Sequence, residues 1–76
     1  MTSGRIPRGL HQEQVVGALV RADGVLDRAA GKGSHVRVTM PSGAKVFVPA
    51  GIIRTGTLAA LIKQAGLARE EFNALL

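Results

Sequence analysis

At 76 residues the chain has room for one domain, which buries roughly 60% of the surface its unfolded form exposes, so its margin of stability is small. It contains no cysteine, which excludes disulfides and thiolate zinc sites, and no apolar run approaches the roughly 18 residues that span a bilayer. Ten Lys and Arg against five Asp and Glu give a net charge of +5, which favours a polyanionic partner.

Residues 1–11 read as a flexible basic tail. Ser3, Gly4, Pro7 and Gly9 interrupt any periodicity, and Arg5 and Arg8 supply charge. The stretch has no apolar region of the secretory kind, so the cytoplasm is the expected compartment. A single domain is expected over residues 12–76.

The first predicted element is a helix over Gln12–Ala22, with Val15, Val16, Leu19 and Val20 on one stripe. Gly17 weakens it by about 1 kcal/mol relative to alanine. Asp23-Gly24 ends it, with Gly24 suited to a left-handed cap. A short strand follows over Val25–Ala30. The next strand, Ser34–Met40, alternates: Val36, Val38 and Met40 share one face and His35, Arg37 and Thr39 the other. Pro41-Ser42-Gly43-Ala44 has turn chemistry. A third strand, Lys45–Pro49, places Val46 and Val48 on one face and Lys45 and Phe47 on the other. Thr57 is then a predicted N-cap for a helix in which Leu58, Leu61, Ile62 and Ala65 form the apolar stripe, and Gly66 ends it. A terminal helix over Arg69–Leu76 offers Phe72, Leu75 and Leu76, with Glu70 and Glu71 favourably placed in its first turn. The expected fold class is α+β, α-β-β-β-α, with a three-stranded antiparallel sheet packed on helices. Its open sheet face would carry His35, Arg37, Thr39, Lys45 and Phe47.

Charge is unevenly distributed along the chain. Arg28, Lys32, Arg37, Lys45, Arg54, Lys63 and Arg69 follow one another with no acid between them, while Glu13, Asp23, Asp27, Glu70 and Glu71 lie outside that stretch. Such one-sided charge suits a nucleic-acid backbone better than a solvated surface.

Several motifs agree in order and spacing. Gly31-Lys32-Gly33-Ser34-His35 opens a strand; Val46-Phe47-Val48-Pro49 closes the next; Gly56-Thr57-Leu58 leads into Leu61-Ile62-Lys63-Gln64-Ala65-Gly66-Leu67; Glu70-Glu71-Phe72 follows. Together, from about Gln12 to Leu76, the chain resembles the HicA (YcfA-like) toxin family. The resemblance implies the fold of a double-stranded RNA-binding domain, metal-independent cleavage of mRNA, and neutralisation by a HicB antitoxin. It implies that His35, which closes the Gly-Ser-His motif, is catalytic. Many members carry a second histidine after the Val-Pro that ends the third strand; here Pro49 is followed by Ala50-Gly51. The glycine of the first strand, Gly24, is followed by Val25 where an aromatic is usual, and Arg28-Ala29-Ala30 replaces the usual Arg-Gln pair.

The chemistry is consistent with one histidine and no metal. If the RNA 2′-hydroxyl attacks its own phosphorus, a base takes the 2′ proton and an acid protonates the leaving 5′-oxygen. Imidazole, with an ordinary pKa of about 6.5, suits either role. His11, the other histidine, lies outside the motifs. Lys32, Gly33, Ser34, Arg37, Lys45, Arg54 and Lys63 are the residues expected to contact RNA. Gly31 and Gly33 allow backbone amides to approach a phosphate, and Ser34 has a second reading as the residue that turns the chain into its strand. Phe47 is either a base-stacking platform or a packing residue. No acidic pair in the strand region offers an oxygen cage, so no metal or other cofactor is expected. The expected partners are mRNA and a HicB-like antitoxin, with no membrane. Two other classes remain open: a non-catalytic RNA-binding module of the same fold, and an interaction protein whose basic face docks an acidic partner.

Overall fold

The alternation in the two central strand sequences closes into a three-stranded antiparallel sheet in the computed structural model, which describes residues 5–27 and 35–76. In chain order the elements are α1 (Gln12–Arg21), β1 (Val25–Asp27), β2 (Val36–Thr39), β3 (Lys45–Val48), α2 (Thr55–Gln64) and α3 (Arg69–Ala74). The sheet runs β1-β2-β3, so β2 is central. Val25, Leu26 and Asp27 face Thr39, Val38 and Arg37, and Val36 to Thr39 face Val48 to Lys45. The expected α+β meander with helices on one face is what forms. Of the first predicted strand, residues 28–30 lie outside the described residues.

One face of the sheet is closed by the helices. Val36, Val38, Met40, Val46 and Val48 are buried together with Val15, Ala18 and Leu19 of α1, Leu58, Leu61 and Ile62 of α2, and Phe72 of α3. α1 contacts all three strands, α2 lies on β3, and α3 packs on α2. Val20, expected on the apolar stripe of α1, is largely exposed, and Ala18 takes the buried place instead.

The helix starts follow a rule not used in reading the sequence. In each helix the residue before the N-cap and the fourth helical residue both join the core: Leu10 and Val15 for α1, Ile53 and Leu58 for α2, Leu67 and Phe72 for α3. This is hydrophobic-staple spacing. It corrects the expected start of α2. The N-cap is Arg54, extended and without a side-chain cap bond, so Thr57 lies inside the first turn. Buried Ile53 fixes where the chain enters the helix, and a hydroxyl cap is not needed. α1 and α3 add half of a capping box, in which the Gln14 and Glu71 side chains accept from the backbone N–H of His11 (2.9 Å) and Ala68 (3.0 Å).

The staple also places part of the segment expected as a tail. Leu10 is 9% exposed, its carbonyl accepts from Ile53 N–H at 2.7 Å, and His11 forms a bridge with Ile52. Ile6 packs against the core, and Asn73 Nδ2 donates to the Arg5 carbonyl at 2.9 Å.

Two helix ends carry Schellman bonds. Gly66, with φ +75°, donates to Lys63 O, and Leu67 donates to Ile62 O, as the sequence led us to expect of a left-handed cap glycine. After α1 the left-handed residue is Asp23, at φ 69°, not Gly24. Asp23 N–H bonds Val20 O at 3.0 Å and Gly24 N–H bonds Leu19 O at 2.9 Å. The cap falls one residue early because the helix ends at Arg21, and aspartate tolerates this conformation better than most residues. Gly24 serves close packing instead. A Cβ there would stand 2.7 Å from both Leu19 O and Val38 Cγ1 and 3.0 Å from Met40 Sδ. Gly24→Ala is therefore expected to cost about 1–3 kcal/mol through overpacking, seen as a melting temperature lower by at least about 4 °C. An unchanged melting temperature would contradict that packing.

Candidate functional site

The sheet face turned away from the helices is built by strand alternation. Val36, Val38, Val46 and Val48 point into the core, so Arg37 and Thr39 of β2, Lys45 and Phe47 of β3, and Val25 and Asp27 of β1 point out. The register arranges them in two rows across the strands, Val25–Thr39–Lys45 and Asp27–Arg37–Phe47. His35 is exposed and immediately precedes β2, two residues before Arg37. At about 3.3 Å per residue this puts it roughly 6.6 Å along the strand from Arg37. Lys45 is exposed. Phe47 is 50% exposed and lies outside the core, whereas the other phenylalanine, Phe72, is wholly buried. Of the two readings of Phe47, core packing is thus the one the structure does not support.

Sequence reasoning missed two residues on this face, Val25 and Asp27, of which Asp27 bears on its chemistry. Asp27 precedes the acid-free stretch in the chain, yet β1–β2 pairing sets it directly across from Arg37. The Arg37 guanidinium donates through Nη2 to Asp27 Oδ2 at 2.9 Å, with side chains 27% and 40% exposed respectively. Arg37 Nε is buried and has no hydrogen-bond partner among the described residues. A signal was present in the sequence: if Val25–Asp27 is the antiparallel neighbour of Arg37–Thr39, opposite charges meet. What was lacking was the register, which depends on the connection between those strands.

Two further candidates, Arg54 and Lys63, do not join the sheet face. Arg54 is the exposed N-cap of α2, and Lys63 stands in that helix's last turn, about 13 Å further along at 1.5 Å per residue. Lys63 and Arg69 flank a groove between α2 and α3 floored by Ala59, Ile62 and Leu67. Arg54 follows the end of β3, whose last residue, Val48, pairs with Val36 beside His35. Lys32, Gly33 and Ser34, with Arg28 and Gly31, lie outside the described residues. His11, at the N-cap of α1, belongs to the helical layer through its bridge with Ile52. Among the described residues no three His, Cys, Asp or Glu side chains gather as a metal site, and no helix is long and apolar enough to cross a membrane.

A family model described as the HicA toxin of bacterial toxin–antitoxin matches residues 13–67, well over half of the chain. The chain belongs to the HicA toxin family. The match takes in α1, all three strands, His35 and α2, and it ends before Glu70-Glu71-Phe72 of α3. No curated protein matches the chain. Membership of the HicA family gives the chain the role of a toxin in a toxin–antitoxin system, and with it an antitoxin as partner. The sheet face that carries Arg37, Thr39, Lys45 and Phe47 is therefore a surface of a toxin domain, left uncovered by its own helices.

Proposed function

We propose that this HicA-family toxin is a metal-independent endoribonuclease that cleaves mRNA, with His35 as general acid/base and a HicB-like protein as its antitoxin. The observation that carries the reading is the position of His35. An exposed imidazole stands immediately before the central strand, two residues from Arg37, within a basic chain of a toxin family. In the reaction the 2′-oxygen of a nucleotide forms a bond to the adjacent phosphorus and the bond from phosphorus to the 5′-oxygen breaks. A proton leaves the 2′-hydroxyl and a proton arrives on the 5′-oxygen. His35 handles one of these transfers, and water, for want of a second imidazole on the described face, handles the other. Lys45, on the same face, is assigned to the charge that builds on the phosphorane oxygens. Lys32, Gly33, Ser34, Arg54 and Lys63 are assigned to phosphates along the strand of RNA, and Arg37 sits among them with its guanidinium on Asp27. Such a toxin meets its mRNA in the cytoplasm, and an acidic antitoxin would find the basic face quickly through complementary charge.

The absence of a second imidazole beside His35 also favours a second reading, a non-catalytic RNA-binding module in which His35 touches only sugar or phosphate. One experiment separates the two and tests metal independence. Purified protein is expected to cleave RNA at the same rate with and without EDTA, and to lose RNA affinity steeply as salt rises, because Lys and Arg contacts release counterions. Cleavage that stops on chelation and returns with Mg²⁺ would overturn the metal-free mechanism. Salt-dependent binding with no cleavage would establish the binding module.

A further inference from the structure

Asp27 is the only acid among the described residues that the strand register brings onto the outward sheet face, where its partner Arg37 stands two residues after His35. Its carboxylate is 2.9 Å from Arg37 Nη2, and the two residues are direct cross-strand partners. The planar guanidinium fork binds carboxylate and phosphate with the same geometry, so the two anions compete for it. Arg37 is also the arginine nearest His35 along β2, where an RNA backbone crossing the imidazole would present its next phosphate.

A half-exposed ion pair of this kind contributes little to the stability of a fold. Its effect on what binds is larger. While Asp27 occupies Arg37, that guanidinium carries no released counterion and offers little net charge to a phosphate. A phosphate entering beside it must either displace the carboxylate or sit against it.

Resting on the RNA-cleaving reading above, we propose that Asp27 withholds Arg37 from the RNA backbone and so sets how tightly the catalytic face grips its substrate. Restraint of this kind suits an enzyme. Added ground-state affinity shared equally by substrate and transition state does not raise the rate of the chemical step. Asp27 then sets the affinity of the face, and Lys45 is the cation of the described sheet that works on phosphate in the unaltered protein.

The test reads the salt dependence of binding to a single-stranded RNA, in a His35→Ala background so that the RNA survives. Asp27→Asn keeps the side chain's size and an acceptor oxygen but removes the charge. It is expected to raise affinity about 5-fold at low salt, the effect of one unit-charge repulsion at about 4 Å in water. It should also steepen the slope of log affinity against log salt by about 0.7, the increment for one further phosphate contact on a single strand. Arg37→Ala alone leaves the Asp27 carboxylate without this partner and should lower affinity at low salt. Asp27→Asn combined with Arg37→Ala should not steepen the slope. Asp27→Glu, which keeps the charge, should bind with the starting slope.

An unchanged slope in Asp27→Asn would overturn the proposal, as would a slope below the starting value when Asp27→Asn and Arg37→Ala are combined, which would mean that Arg37 holds phosphate despite Asp27. Asp27→Ala, which removes the carboxylate without adding an amide, should steepen the slope by the same amount and decides the matter should the asparagine disturb the sheet. No RNA affinity in any of these proteins would overturn the RNA-binding reading itself, whereas binding with the wrong pattern of slopes overturns only the role of Asp27.

Discussion

Replacing His35 by alanine is expected to relieve the growth arrest caused by inducing this chain in bacteria, and to reduce RNA cleavage by about 100-fold or more, the usual contribution of a positioned acid/base. His35 is exposed and precedes β2, so its side chain supports no core contact. Removing it should change folding stability by no more than about 0.5 kcal/mol. That separation makes the variant informative: melting temperature stays, activity goes. Growth arrest by a folded, equally abundant His35→Ala protein would assign the chemistry to another group.

The largest effect on stability is expected from Phe72→Ala. Phe72 is the largest fully buried side chain, 0% exposed, and it is the fourth residue of α3, stapled against Leu67. Phe→Ala in a core costs about 3–5 kcal/mol, while a domain of this size has only about 0.05–0.15 kcal/mol of stability per residue. The variant should melt at least about 12 °C lower, or fail to fold at 37 °C. Because the antitoxin binds the native state, its presence at about 100 times its dissociation constant should restore about 2.7 kcal/mol, visible as recovery of soluble toxin on co-expression. A drop of less than about 4 °C would mean that α3 is not part of the folding unit. This bears on the family match, which stops at Leu67, before this helix begins.

What could be read from the sequence divides by the range of the interaction. The strand faces were legible because alternation is local: Val36, Val38, Val46 and Val48 announced a buried side, and with it the exposure of Lys45 and Phe47 on the other. The end of α2 was legible because Gly66 is a strong local stop. The starts were less so. Thr57 reads as the N-cap of α2, whereas Ile53 and Leu58 fix its start through a core contact that a composition rule does not contain. Gly24 reads as a cap, but its requirement comes from Val38 of β2 and from Met40 just after it, residues more than a dozen positions away. The Asp27–Arg37 pair was hidden for the same reason. The seven basic residues from Arg28 to Arg69 form an acid-free run in the chain, but a sheet neighbour supplies the acid that the run lacks. The strand expected over Ser34–Met40 forms only from Val36 to Thr39, so alternation does not settle where His35 points, and Lys32, Gly33 and Ser34 lie outside the described residues.

The most direct measurement of the central claim is the chemistry of the cut ends. Purified toxin and its His35→Ala variant are incubated with one RNA and with the same RNA carrying 2′-deoxy nucleotides at the cleaved positions. Attack by the 2′-hydroxyl, assisted by His35, leaves a 2′,3′-cyclic phosphate on one fragment and a 5′-hydroxyl on the other, spares the 2′-deoxy positions, and gives no fragments with the variant. Cleavage at the 2′-deoxy positions, or fragments from His35→Ala at the rate of the unaltered chain, would contradict it.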